Sequence, residues 1–203
     1  MKKTIKNMAV VIIDVQNDFC SDKGITSNSG RNVKNIQAAV NNISRLLDNL
    51  RKLNTKIIFF KLIYDPKKIP LSHMQRMKIK KTKNLCQPNS KGIEFYNLKP
   101  LKNDKVMEKN YYSAFYKTGF ENWLKKNRIK TVILTGVTTQ ICVLLTCVDA
   151  YYRGYEIYVL KDCVGTYEAN DVALKYMREQ CAANIIDSKN FIKSIRNFKK
   201  TDE

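Results

Sequence analysis

The run Met8-Ala9-Val10-Val11-Ile12-Ile13 constrains the fold more than any other part of the sequence. It is continuously apolar and rich in β-branched residues, with no polar side to give to water. A strand of this kind is buried on both faces, which is the environment of a parallel sheet covered by helices above and below. Further strand-like runs are expected at residues 56–63, 105–108, 131–135, 156–160 and 184–186. Between them lie helical patterns. Val33, Ile36, Val40, Ile43, Leu46, Leu47, Leu50 and Leu53 recur at steps of three and four, and helices are expected over 33–53, 116–127, 141–153, 168–182 and from 188 onward. Strands alternating with helices imply right-handed crossovers. The expected fold class is therefore α/β: one three-layer α/β/α domain over residues 1–203, with a mostly parallel sheet of about six strands. Residues 64–103 hold all the prolines and no clear period, and an excursion of that length is expected to be a lid or a binding loop.

Composition narrows the function classes. With 203 residues and 44% hydrophobic residues, the chain can bury one substantial core. The formal net charge of +19 raises nucleic acid or a membrane surface as partners. The lysines, however, are scattered along nearly every segment, and the dense run from Arg76 to Lys83 has no accompanying RNA-binding or zinc-finger signature. The charge reads as a solvated surface, and a nucleic-acid partner is not expected. Met1-Lys2-Lys3 imitates a signal peptide, but the apolar run ends at Asp14, and no segment approaches a membrane span. The six cysteines form no CxxC pair and sit mostly in apolar runs, so a reducing, cytoplasmic setting is expected.

Ligands of an open parallel sheet bind beyond the carboxyl ends of its strands. Asp14 directly follows the first strand, Lys109 follows the run at 105–108, and Cys142 lies in the turn after 131–135. Each has a plain structural reading: a turn former, a surface charge, a packed thiol. Their shared position at consecutive strand ends is what singles them out. A thiol at a helix start is expected to have a lowered pKa, because the helix dipole favours the thiolate nucleophile. The sole histidine, His73, falls in the irregular excursion, so the base for Cys142 is expected to be a carboxylate, Asp14. Lys109 would stabilise the charges. No HExxH motif or cysteine spacing suggests zinc, so no metal and no cofactor are expected.

Three segments carry a family resemblance. Ile13-Asp14-Val15-Gln16-Asn17-Asp18-Phe19-Cys20, Lys109-Asn110-Tyr111-Tyr112-Ser113-Ala114-Phe115, and Gly136-Val137-Thr138-Thr139-Gln140-Ile141-Cys142-Val143 resemble, in order, the motifs of the isochorismatase-like cysteine hydrolases. Cys86-Gln87-Pro88-Asn89-Ser90-Lys91-Gly92 and Asn97-Leu98-Lys99-Pro100 are more similar to the ureidoacrylate and N-carbamoylsarcosine amidohydrolase-like branch. The resemblance implies Asp14, Lys109 and Cys142 as the catalytic set. It also implies a cis Val137–Thr138 peptide and an oxyanion hole made by the Thr138 and Cys142 backbone N–H groups. Gln16, Phe19, Tyr111, Tyr112 and Phe115 are candidate pocket residues. The metal-binding Asp and two His of nicotinamidases have no match in Tyr64-Asp65-Pro66-Lys67-Lys68-Ile69, which reinforces the expectation of no metal. The implied activity is hydrolysis of a small linear amide or ureide by a homo-oligomer, a dimer or tetramer. The alternatives are an isochorismatase-type vinyl-ether hydrolase and a basic nucleic-acid-binding protein on a hydrolase scaffold.

Overall fold

In the computed structural model, which describes residues 5–79 and 84–199, six strands form one parallel sheet. They are β1 Met8–Ile13, β2 Lys56–Leu62, β3 Lys105–Lys109, β4 Thr131–Val137, β5 Glu156–Gly165 and β6 Asn184–Ile186. Their order across the sheet is β3-β2-β1-β4-β5-β6, with every neighbouring pair parallel. The chain builds outward from β1 on one side, then returns to β1 and builds outward on the other. The reversal falls between β1 and β4, so the crevice beyond their carboxyl ends is the place this topology prepares for a ligand.

The helices are α1 Asn17–Cys20, α2 Ile25–Asn28, α3 Lys34–Lys52, α4 Leu71–Ile79, α5 Phe120–Lys126, α6 Leu144–Tyr152, α7 Asp171–Cys181 and α8 Ser188–Lys199. Successive β1 residues point to opposite faces. Met8, Val10 and Ile12 join the core built with α3 and α8, while Ala9, Val11 and Ile13 join the core built with α5, α6 and α7. That is why this strand tolerates no polar residue. The α3 stripe buries Ile36, Val40, Ile43, Leu46, Leu47 and Leu50. Each such side chain contributes about 1.5–3 kcal/mol by leaving water.

Three elements depart from expectation. Residues 64–103 are not wholly irregular: α4 occupies part of them, with His73 and Met77 buried one turn apart. Pro70 opens it, its carbonyl accepting from the His73 and Met74 N–H groups at the first turn, where proline is at home. The first half of the basic run is thus helical rather than loop, while residues 80–83 lie outside the described residues. The helix expected over 116–127 begins only at Phe120. Lys117 and Gly119 have φ of 55° and 77°, and Thr118 Oγ1 accepts from the Phe120 N–H, so the chain turns here before it coils. β5 runs on to Gly165 past a register shift against β4 between Leu134 and Gly136.

One glycine fixes the reversal point. Gly136 pairs with Ile13 and has a φ of 105°. A Cβ there would collide with the Ile13 backbone. Gly136→Ala is expected to cost about 3 kcal/mol through strain and overpacking together. Urea denaturation should show a lowered midpoint at unchanged m-value.

Candidate active site

Asp14 ends β1 with a φ of 53°, a left-handed conformation that aspartate tolerates better than most residues. Its N–H still donates to the Phe60 carbonyl at 3.2 Å, so the turn starts from the sheet itself. Two residues on, the Gln16 amide donates to the Leu62 carbonyl at 3.0 Å and the Ile93 carbonyl at 3.1 Å, and accepts from the Leu62 N–H at 2.8 Å. Gln16 therefore ties the end of β2 and the returning excursion to the turn that carries Asp14. Asp18 does similar work, accepting from the Cys86 N–H at 2.7 Å.

Lys109 ends β3, which is the edge strand. It is not adjacent to β1, since β2 lies between them, and this corrects the expectation of consecutive strand ends. Register explains the reach. Ile13 is level with Phe60, while Lys109 is level with Leu62, so Lys109 sits farther along the strand direction and can cross over the end of β2. Its Nζ lies 2.7 Å from Asp14 Oδ2, with both side chains at 0% exposure. It also donates to the Tyr111 carbonyl at 3.0 Å and the Tyr112 carbonyl at 2.9 Å. The two carbonyls thus take two of the three ammonium donors, and the contact with Asp14 is an ion pair without an aligned hydrogen bond.

Cys142 follows β4. The Val137–Thr138 peptide is cis, and Thr139–Val143 form a π-helical turn before α6 begins. The regular helix expected from residue 141 thus starts later, after a wider turn of a type often found at functional sites. Thr146 Oγ1 donates to the Cys142 carbonyl at 2.7 Å and accepts from the Ala114 N–H at 3.0 Å, which holds the turn against the segment after β3. The Cys142 thiol is buried, and Asp14 and Lys109 are the charged groups that act on it.

The electrostatics correct one expectation. Burial pushes the Cys142 thiol above its ordinary pKa, Lys109 opposes this, and Asp14 adds to it. Loss of water outweighs the dipole of a short turn, so the neutral thiol is the resting form. Burial also raises Asp14, against the pull of Lys109. Burial works against the Lys109 ammonium, but attraction from Asp14 and Cys142 more than restores it. The three groups titrate as one cluster.

A pocket with about 410 Å³ of empty space, mouth included, opens onto Cys142 and Thr138. Phe19 and Tyr112 line it, as do Leu62, Tyr64, Leu85, Tyr167, Arg31 and Arg76. Gln16, Tyr111 and Phe115 are not among its walls. The Gln16 side chain is spent on backbone, the Tyr111 ring packs 4.7 Å from Tyr116, and Phe115 packs 4.7 Å from Phe120 in the other core. Tyr64 was findable by position, two residues past the end of β2. Arg31 and Arg76 carry no sequence signal among so many cations. His73 stands behind the pocket between the Tyr64 and Tyr112 rings, at centroid distances of 4.7 and 5.1 Å. Asp65, after β2, is used in a turn, 3.5 Å from Lys68 and accepting from the Lys67 N–H. No group of three or more His, Cys, Asp or Glu able to hold a metal occurs among the described residues.

Comparison with known proteins gives the family and the fold. The uncharacterized isochorismatase family protein YaaI of Bacillus subtilis is 29% identical over 186 residues, covering 91% of this chain and 96% of that one. The ureidoacrylate amidohydrolase RutB of Methylorubrum extorquens is 28% identical over 180 residues, covering 82% and 72% respectively. The crystal structure of a cysteine hydrolase from Pseudomonas syringae superposes with a TM-score of 0.84 at 20% identity, over 98% of this chain and 96% of that one, and so shares its fold. The isochorismatase domain model matches residues 8–190, nearly the whole chain, and the protein belongs to that family.

Proposed function

We propose that this chain is a cysteine-dependent hydrolase of a small linear amide or ureide. The observation that carries the reading is the Cys142 thiol, buried against the Asp14–Lys109 ion pair at the floor of a small pocket. Its likeness to an amidohydrolase supports a C–N bond as the target.

Asp14 takes the thiol proton as Cys142 Sγ bonds to the carbonyl carbon, so charge moves from sulfur to the carbonyl oxygen without a free thiolate accumulating. The Thr138 and Cys142 backbone N–H groups stabilise that oxyanion. Asp14 then gives its proton to the leaving nitrogen, the C–N bond breaks, and a thioester remains on Cys142. A water molecule, deprotonated by Asp14, attacks the thioester. The C–S bond breaks and the proton returns to sulfur. Lys109 stays protonated throughout and holds the Asp14 carboxylate in place. A base and a nucleophile in a dry site are each worth orders of magnitude in rate.

A screen of small amides and ureides should show ammonia release, and Cys142→Ala should lower it by at least about a thousandfold. Full activity in that variant would refute the thioester route, and cleavage of a vinyl ether without ammonia would move the reading to the isochorismatase reaction.

The pH profile has a definite sign. Asp14 must be ionised in the free enzyme, and its pKa lies above the ordinary 3.8. Activity should therefore be lost as pH falls through a value higher than 3.8, with no matching loss near neutrality on the alkaline side, since Lys109 and Cys142 both titrate above their ordinary ranges. Lys109→Met removes the attraction that opposes burial of Asp14. Any residual activity should then show its acid limb at higher pH than wild type, measured as kcat/KM against pH. An unmoved limb would assign it to another group.

A further inference from the structure

Asp18 is a buried carboxylate that the mechanism does not use. It is 6% exposed, and no cation pairs with it among the described residues. A buried carboxylate of this kind is held by backbone donors instead. Its Oδ2 accepts from the Cys86 N–H at 2.7 Å, and the Ile25 N–H approaches Oδ1 at 3.4 Å. Gly92 packs so closely against the same carboxylate that a Cβ there would overlap it. The arm around Gly92 has further ties to the α1 turn. The Asn17 N–H donates to the Glu94 carbonyl at 2.9 Å, its side-chain amide to the Lys91 carbonyl at 2.9 Å, and the Tyr96 N–H to the Val15 carbonyl at 3.0 Å. Cys86 reaches that turn through Asp18. It has a φ of 48°, the left-handed region that a residue with a Cβ adopts only at a cost. From this position its carbonyl accepts from the Tyr64 N–H at 2.9 Å. Tyr64 and Leu85, the residue before Cys86, are both walls of the pocket that opens onto Cys142. Asp18 does not line that pocket, and the charges that act on the Cys142 thiol are those of Lys109 and Asp14.

We propose that Asp18 is a positioning residue that limits the size of molecule able to reach Cys142. Its carboxylate locks the left-handed turn at Cys86, and that turn seats Leu85 and Tyr64 against the pocket. The role concerns access alone, whichever bond Cys142 cleaves. A neutral amide at position 18 gives a weaker bond to the Cys86 N–H and turns an N–H donor toward the Ile25 N–H or the crowded Gly92. Cys86 then relaxes toward an ordinary φ, and Leu85 leaves its seat.

All six cysteines are buried, so their alkylation maps which part of the chain opens. The test compares iodoacetamide with the bulkier N-ethylmaleimide, each rate normalised to that reagent's rate with glutathione. Peptide mass spectrometry resolves Cys142 from Cys147, Cys163 and Cys181, and thermal unfolding is the folding control. In the wild type, Cys142 should prefer iodoacetamide by at least about tenfold after normalisation, and Asp18→Asn should remove most of that preference. Cys147, Cys163 and Cys181 should stay as protected as in the wild type. Gly92→Ala presses on the same carboxylate from the returning arm and should do the same, and it suffices alone should Asp18→Asn not fold. Because both substitutions act on one group, the double variant should be no more permissive than either single one. A wild type without size preference, or a preference that survives both substitutions, overturns the role. Labelling that rises equally at all four cysteines also overturns it, since that reads a general loosening. Ammonia release plays no part in these rates, so failure of the amide-hydrolase reading leaves them standing.

Discussion

The buried ion pair between Lys109 and Asp14 is the interaction on which the site depends. Both side chains have no solvent exposure and lie 2.7 Å apart. Removing two such charges from water costs several kcal/mol per ion, so the pair is a poor source of stability unless every donor is satisfied. Here the Tyr111 and Tyr112 carbonyls take two of the ammonium donors, and the Asp14 carboxylate balances its charge. That arrangement dictates much around it. The segment after β3 must turn its carbonyls inward, β2 must end short enough for the lysine to pass, and Gln16 must hold the β2 end in place. Thr146 then joins the same segment to the turn that carries Cys142.

The pair also decides how the thiol is used. Many reactive cysteines rest as thiolates beside an imidazolium or at a helix start. Cys142 rests as a thiol, because burial and the Asp14 charge outweigh the help that Lys109 gives. Asp14 is itself raised by burial, which makes it a better proton acceptor than a solvated carboxylate. In the mechanism we propose, loss of water thus weakens the nucleophile at rest and strengthens its base.

Much of this was legible in the sequence. Met8 to Ile13 could only be a strand covered on both faces, and the spacing in α3 matched its buried stripe. Position after a strand was enough to single out Asp14, Lys109 and Cys142. Pocket walls were harder to read. Phe19 and Tyr112 line the pocket, but Tyr111 and Phe115, in the same segment as Tyr112, do not, because the turn after β3 sends adjacent side chains in different directions. The thiol pKa was misjudged because the helix dipole is visible in sequence while desolvation is not. Helix α4 was hidden by a weak apolar stripe in a polar stretch, and with it the place of Arg76 in the pocket wall. A single arginine among 37 lysines and arginines has no mark to distinguish it until the fold puts it beside a tyrosine in the pocket.

The central claim is that Cys142 holds its proton until Asp14 removes it. Ultraviolet thiolate absorbance of the wild type minus Cys142→Ser, followed against pH, reads that proton directly. No Cys142 thiolate step should appear below the ordinary thiol value of 9.0. A full step near neutral pH would show a preformed thiolate and contradict the assignment of Asp14 as the base.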